Sequence, residues 1–181
     1  MAIQVRIVKW TPARPCPALE ALLRAPPVDA EATEAAQTIL DAVWKEGDRA
    51  IARYVRRFDG ARLSPDQFRV PREALEAAVA SVPAAFRRAV ESVCRRVERF
   101  ARAGLRRNWH IALEEGGTVG ERFVALRRVG VYIPGGVAPL ASTVLMTVPL
   151  ARVAGVQEIV ACTPPRPDGT VDPHILCALH M

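Results

Sequence analysis

The feature that most constrains the fold is a short apolar strand that leads through a glycine turn into a helix, over Gly130–Met146. Residues 129–133 alternate apolar side chains with small or polar ones, and Pro134 stops strand pairing. The two glycines at 135–136 allow positive φ and a close backbone approach to a ligand. The turn is therefore a candidate ligand site, although the pattern alone is more typical of a plain connection.

The second half of the chain continues in this alternation of strands and helices. The predicted elements are a strand at 129–133, a helix at 142–154, a strand at 158–163 and a helix at 173–181. This β-α-β-α order is typical of an α/β fold with an incomplete Rossmann-like parallel unit, in which ligands bind at the carboxyl ends of the strands. Tyr132–Pro134 and Thr163–Pro165 occupy such ends. Ser142 and Thr143 open the intervening helix, whose unpaired N–H groups suit an anion or a polar substrate group, with an N-cap as the plainer interpretation of Ser142.

Residues 29–127 predict a helical region with a possible short hairpin. Four helices are expected to start at or beside Asp29, Asp48, Pro71 and Pro83. The aspartates at the first two starts are predicted N-caps, and glycines at 47 and 60 are predicted to end those helices. The segment 63–70 fits an edge strand or a loop. Glycines at 116 and 117 predict a hairpin turn before residues 122–127.

The proline-rich start at residues 1–28 predicts an extended lead-in with one helical turn. Charged residues interrupt any apolar run there, which argues against a secretory leader, and no window reaches the roughly 18 apolar residues of a membrane span. We therefore expect a cytoplasmic protein with no membrane partner. The predicted organisation is a lead-in at 1–28, a helical region at 29–127 and a truncated nucleotide-binding α/β unit at 128–181.

The positive charge of the chain comes almost wholly from arginine, with 25 Lys+Arg against 19 Asp+Glu. The densest run comprises Arg87, Arg88, Arg95, Arg96, Arg99, Arg102, Arg106 and Arg107. Arginines neutralise phosphates, which suggests nucleic-acid binding. However, the apolar residues from Phe86 to Phe100 recur at three- and four-residue intervals, so an amphipathic helix with a solvated arginine face is favoured. No nucleic-acid partner is expected.

The cysteines and histidines do not predict a metal site. Cys16, Cys94, Cys162 and Cys177 lack C-x-x-C spacing and are interpreted as reduced and structural. His110, His174 and His180 are spaced neither as a ligand pair on one helical face nor beside a carboxylate cluster. They are interpreted as ordinary surface or half-buried histidines.

Two separate blocks of sequence resemble the nicotinamide-dependent histidinol dehydrogenases. The first block comprises Gly130–Gly136, Ala138–Leu140, Ser142–Met146, Pro149, Val153–Val156 and Thr163–Pro165. The second comprises Ile39-Leu40, Val43, Glu46–Asp48, Ala50, Tyr54 and Phe58-Asp59. Together they extend the resemblance from about Asp29 to the last residue.

The resemblance implies two-step oxidation of L-histidinol to L-histidine by hydride transfer to NAD. It implies that Tyr132 contacts the dinucleotide, that Pro134, Gly135 and Gly136 shape the turn, and that Ser142 and, less directly, Thr143 lie beside the substrate. In that family zinc anchors the substrate and a Glu-His pair moves protons. No residue of this chain matches those positions, so no catalytic acid, base or metal ligand is assigned.

Members of that family are more than twice as long as this chain and are dimeric, so a homodimer is implied only for the full-length form. Three explanations stay open: a truncated product that is inactive alone, one part of a split enzyme, or a non-catalytic NAD- or partner-binding module derived from the family. A nucleic-acid binder is the weakest alternative.

Overall fold

A computed structural model describes residues 11, 16–24, 29–135 and 139–181, with the side chain of Leu22 excepted. Contacts divide the chain into two compact units, Met1–Glu46 and Gly47–Met181. In the first unit, α1 covers Pro17–Arg24 and α2 covers Ala30–Glu46. The eight residues of α1 make two helical turns, where the sequence predicted one, because proline is tolerated at the first helical position.

The start of α2 agrees with its predicted cap. The side-chain Oδ1 of Asp29 accepts the backbone N–H of Glu31 at 2.9 Å. No residue of this helix is buried, and the predicted apolar stripe ends in Trp44 with 91% of its surface exposed.

The second unit begins with three helices and one short turn. These are α3 at Asp48–Phe58, a 3-10 turn at Pro65–Gln67, α4 at Arg72–Ser81 and α5 at Ala84–Gly104. Asp48 is the first helical residue of α3 and not its cap, since Gly47 takes that position with φ of +60°. The segment 63–70, which fitted either an edge strand or a loop, is a loop around the 3-10 turn. A capping box between Ser64 and Gln67 stabilises that turn.

The predicted hairpin forms, but its second strand comes earlier than expected. Strand β1 covers Trp109–Ala112 and pairs antiparallel with β2 at Thr118–Glu121. The intervening turn contains Gly116 and Gly117, both with positive φ. Residues 122–127 have no regular secondary structure.

The β-α-β-α unit follows as the sequence predicted. It comprises β3 at Arg128–Tyr132, α6 at Ala141–Val153, β4 at Glu158–Cys162 and α7 at Pro173–His180. Strands β3 and β4 pair in parallel, with Arg128 opposite Glu158 and Tyr132 opposite Cys162. The chain is therefore an α/β protein. The proposed boundary near Arg127 stays a prediction, and the α4–α7 and α5–α6 contacts cross it.

The core lies on one face of this parallel pair. Buried residues from α5, α6, α7 and the position directly after β3 form one cluster: Val90, Ile133, Ala141, Val144, Leu145, Val148, Ile175 and Ala178. Val131, Ile159 and Ala161 face this cluster, because alternate strand residues point to opposite sides. On the other face Tyr132 and Val160 keep 65% and 44% of their surfaces exposed.

The arginine-rich helix α5 is amphipathic only in part. Val90 is buried and Phe86 packs against the core, but Phe100 is 81% exposed. Arg88 and the later arginines of the run are exposed, and Arg102 pairs with Glu98 at 3.1 Å. Arg87 departs from the prediction, since its half-buried guanidinium binds backbone carbonyls at the end of α4.

Within the described residues, no helix combines the length and apolar character that a membrane crossing requires.

Candidate functional site

The carboxyl ends of β3 and β4 are joined directly. The N–H of Ile133 donates to the carbonyl oxygen of Cys162 at 2.8 Å, which extends the parallel pairing by one residue. Two residues further on, Gly135 contacts the Pro164 ring so closely that an added Cβ would lie 3.0 Å from its Cγ. The turns that follow the two strands therefore pack against each other at one edge of the sheet.

This contact explains the glycine at position 135. The φ of Gly135 does not lie in the left-handed region, so this glycine does not use the positive φ that its lack of a side chain allows. The close approach to Pro164 is what excludes a side chain. Gly136 lies outside the described residues.

A cavity of about 480 Å³ opens beside these turns. Four parts of the chain provide its described lining: the end of α3, the turn after β3, the turn after β4, and the start of α7. These residues are Phe58, Asp59, Gly135, Pro139, Pro164, Pro165, Arg166, Pro167, Asp172 and Ile175. In open α/β sheets ligands bind at the carboxyl edge of the strands, and this volume is typical of small-molecule sites. The cavity is therefore the candidate functional site.

Arg166 and Asp172 form an ion pair on one wall of the cavity. Asp172 also caps α7, since its Oδ1 accepts the backbone N–H of His174 at 2.8 Å. Burial acts to raise the pKa of Asp172, but the hydrogen bonds from His174 and the charge of Arg166 outweigh it and lower the pKa below its ordinary value. This carboxylate is thus ionised and fully engaged.

The turn that carries Arg166 is fixed by local hydrogen bonds. The N–H of Arg166 donates to the carbonyl of Thr170 at 2.7 Å. Oδ1 of Asp168 accepts the backbone N–H of Thr170 at 2.9 Å and its hydroxyl at 2.7 Å. These bonds lower the pKa of Asp168. Arg166 is consequently presented by an ordered turn, not by a free loop.

Asp59 is the second carboxylate of the cavity and has a different environment. It follows α3, and its backbone N–H donates to the carbonyl of Val55 at 2.9 Å. Burial raises the pKa of its carboxyl group above the ordinary value. No described residue pairs with this carboxylate or hydrogen-bonds to it.

Comparison with protein-family models shows the family of this chain. A family model described as histidinol dehydrogenase matches residues 23–181, which is most of the sequence. The chain belongs to the histidinol dehydrogenase family.

Individual family members agree over the same region. A histidinol dehydrogenase of Symbiobacterium thermophilum is 42% identical over 142 residues, covering 78% of this chain and 32% of that relative. One of Xanthomonas axonopodis pv. citri is 37% identical over 179 residues, covering 98% of this chain and 41% of the relative. The crystal structure of histidinol dehydrogenase from Elizabethkingia anophelis superimposes with a TM-score of 0.77 at 32% identity, over 91% of this chain and 38% of that one. The chain spans about a third to two fifths of the length of these relatives.

The histidinol dehydrogenase resemblance assigns roles to residues at the end of β3 and at the start of α6. Tyr132 ends β3 with most of its side chain exposed, and Gly135 lines the cavity, with Pro134 half-buried between them. Ser142 is exposed and Thr143 half-buried in the first turn of α6. Of these residues, Gly135 alone is among the described residues that line the cavity. Tyr132, Pro134, Ser142 and Thr143 are not among them, and their contacts with the dinucleotide or the substrate stay predictions.

Ser142 is not an N-cap, which corrects the plainer interpretation of that residue. Helix α6 begins one residue earlier, with Leu140 at the cap position and no side-chain cap. The N–H of Thr143 is satisfied by the carbonyl of Leu140 at 2.9 Å. Ala141 is the first residue of the helix and is buried in the core on the same helical face as Val144 and Val148.

Several cavity residues were not singled out as site residues from the sequence. Asp59 was interpreted as part of a helix end, and Arg166 and Asp172 were not considered. One signal was available for Asp172, because Asp-Pro at 172–173 is typical of a helix cap followed by proline in the first turn. No local sequence pattern predicts that the end of α3 lies close to the ends of the strands, since this contact joins residues far apart in the chain.

The described residues fit NAD better than they fit zinc. A close glycine–proline contact, an exposed tyrosine and a cavity at the strand ends suit a dinucleotide. In contrast, no group of three or more His, Cys, Asp or Glu in the described part of the chain is arranged to hold a metal ion. Zinc remains an implication of the family resemblance, and no residue of this chain is assigned to it.

The four cysteines are free thiols. Cys177 is fully buried, and burial raises the pKa of its thiol, as it does for Cys94. A raised pKa favours the neutral thiol, which is typical of a structural cysteine.

Proposed function

We propose that this chain forms the NAD-binding portion of a histidinol dehydrogenase, which oxidises L-histidinol to L-histidine in histidine biosynthesis. The observation that carries the proposal is the cavity at the carboxyl ends of β3 and β4, beside the contact of Gly135 with Pro164. Membership of the family supports the activity. A cytoplasmic location and a homodimer in the full-length form belong to the same proposal.

Tyr132 is the proposed contact for the dinucleotide. It is the last residue of β3, and 65% of its surface is exposed although it is a large aromatic residue. Aromatic rings provide a flat apolar surface at little conformational cost, and the phenol adds a hydrogen-bonding group. Pro134 and Gly135 then lead the chain away and let the backbone approach the ligand.

The chemistry that NAD supplies when bound is acceptance of a hydride from the alcohol carbon. The part proposed for this chain is to bind and orient the dinucleotide. We assign the base that removes the hydroxyl proton and the ligands of zinc to no residue here. The proposal therefore separates NAD binding, expected of this chain, from histidinol oxidation, which is not expected of it alone.

Calorimetric titration of the purified chain with NAD tests the first part. We expect saturable binding that weakens at least about tenfold in Tyr132→Ala, or about 1.4 kcal/mol, and much less in Tyr132→Phe. Phe100→Ala is the matched control, because Phe100 is an exposed aromatic residue in helix α5 and not at the end of a strand. Absence of NAD binding would contradict the proposal, and unchanged binding by Tyr132→Ala would contradict the role of the tyrosine.

Formation of reduced nicotinamide with L-histidinol and zinc tests the second part. We expect no histidinol-dependent reduction by the chain alone, and activity after addition of the carboxyl-terminal portion of a family member. Binding of NAD without activity in either assay favours the second candidate, a non-catalytic NAD-binding module. Histidinol-dependent reduction by the chain alone would show that catalytic residues of this chain had been missed.

A further inference from the structure

The end of α3 brings into the cavity a carboxylate, that of Asp59, which has no ion-pair or hydrogen-bond partner among the described residues. Phe58 is the last residue of the helix, and its ring is parallel to that of Tyr54, with centroids 5.8 Å apart. The guanidinium of Arg57 lies 5.3 Å from the centroid of the Phe58 ring. The next residue, Asp59, continues the helical hydrogen bonding through its N–H to the carbonyl of Val55 at 2.9 Å, and it lies in the cavity wall.

The three charged groups that line the described part of the cavity are not equivalent. Arg166 is paired with Asp172, and Asp172 also accepts the N–H of His174. Asp59 has neither a cation nor a hydrogen-bond donor among the described residues, and burial raises its pKa. A carboxylate that loses water without gaining donors destabilises the folded protein.

Such an arrangement is typical of a residue that meets its partner only when a ligand binds. The ligand must then present hydrogen-bond donors to two carboxylate oxygens. The adjacent hydroxyl groups of a ribose do so, and in dinucleotide-binding folds an acidic side chain commonly accepts these hydrogen bonds. The same negative charge repels a phosphate group attached to that ribose.

We infer that Asp59 accepts hydrogen bonds from ribose hydroxyl groups of the bound dinucleotide and thereby selects NAD over its 2′-phosphorylated form. This inference rests on the proposed function, because it assigns a specificity-determining residue to the same cavity. It involves no bond formation and leaves the hydride transfer unchanged. It also gives the α3 end, which is remote in sequence from the glycine turn, a role in the site.

Titration of the wild-type chain, Asp59→Asn and Asp66→Asn with NAD and with NADP tests the inference. Asp66→Asn is the matched control, because Asp66 is exposed in the 3-10 turn and is not among the residues that line this cavity. We expect Asp59→Asn to bind NAD about tenfold more weakly and to bind NADP more tightly than the wild type. Asp66→Asn should retain the wild-type preference.

The outcomes separate the two proposals. An unchanged ratio of NAD to NADP affinity in Asp59→Asn, with NAD binding still sensitive to Tyr132→Ala, would overturn the inference alone. Failure of the wild type to bind either nucleotide would overturn both. Weaker binding of L-histidinol by Asp59→Asn with an unchanged nucleotide ratio would mean that the carboxylate contacts the substrate ammonium, which also overturns the inference. Circular dichroism of each variant shows whether it is folded, and Asp59→Glu, which keeps the charge, should retain the preference for NAD.

Discussion

Gly135 and Pro164 meet where the two parallel strands end, and a Cβ on the glycine would lie 3.0 Å from Cγ of the proline ring. Few real Cβ contacts are as short, so a side chain at position 135 requires a shift of the turn after β4. The same turn carries Pro165, Arg166 and Pro167 into the cavity wall. The shape of the candidate site thus depends on the absence of one methyl group.

Gly135→Ala is therefore expected to lower the free energy of unfolding by about 1 kcal/mol and to weaken NAD binding. Gly130→Ala is the matched control, because nothing lies within 4 Å of a Cβ built on that glycine in β3. Urea unfolding monitored by circular dichroism, with NAD titration of both variants, provides the measurement. Equal stability and equal NAD affinity of the two variants would show that the Pro164 ring moves aside at no cost to the fold or to binding.

Arg87 should stabilise the fold, in contrast to its neighbours in the arginine run. Its Nη1 donates to the carbonyl oxygens of Val79 at 2.9 Å and Val82 at 2.8 Å, which satisfies acceptors at the end of α4. Removing a charged donor from partly buried acceptors costs about 1.5–3 kcal/mol, so Arg87→Ala should lower the urea midpoint clearly. Arg88→Ala, an exposed control on the same helix, should change stability by less than about 0.5 kcal/mol. A similar loss in both variants would contradict this role.

Asp172 should stabilise the fold above the ordinary aspartate pKa. Its pKa is lowered in the folded protein, so the unfolded chain binds the proton more readily, and the contribution is lost as pH falls from 3.8 through the folded value. Asp172→Ala removes the cap of α7 and is expected to cost about 1 kcal/mol near neutral pH. The difference in the free energy of unfolding between this variant and the wild type should become smaller in acid. Urea unfolding at several pH values measures it, and a difference that stayed constant would argue against an ionised cap.

Asp59 should show the opposite pH dependence. Its pKa is raised in the folded protein, so stability falls as pH rises from 3.8 through the folded value, where the desolvated carboxyl group ionises. Arg166 and Asp172 also line the cavity, but they are paired with each other. Asp59→Asn should therefore raise the free energy of unfolding near neutral pH and have little effect in strong acid.

The same series of urea titrations measures this effect, with Asp66→Asn as the control. A destabilised Asp59→Asn near neutral pH would mean that the folded protein holds a partner for the ionised carboxylate. Added NAD should stabilise the wild type more than this variant, because the ribose hydroxyl groups provide the missing donors.

Local sequence signals predicted most elements of the fold. Alternation and glycine turns located β3, β4 and the helix between them to within one or two residues. Asp29 was a cap as predicted, because its side chain bonds a neighbouring N–H and needs no distant partner. Asp48 and Ser142 fitted the same rule and were not caps, since Gly47 takes the cap position of α3 and Leu140 that of α6.

The candidate site was predictable only in part, for the same reason. The sequence by itself determined the strand–glycine–helix turn, the position of Tyr132 at a strand end and the family, because these depend on residues close together in the chain. Only the tertiary structure showed that Asp59 shares a cavity with Arg166 and Asp172, that Gly135 is needed for its contact with Pro164, and that Arg87 leaves the solvated face to bind α4. Each of these depends on packing between elements, and no local pattern of side chains encodes which elements meet.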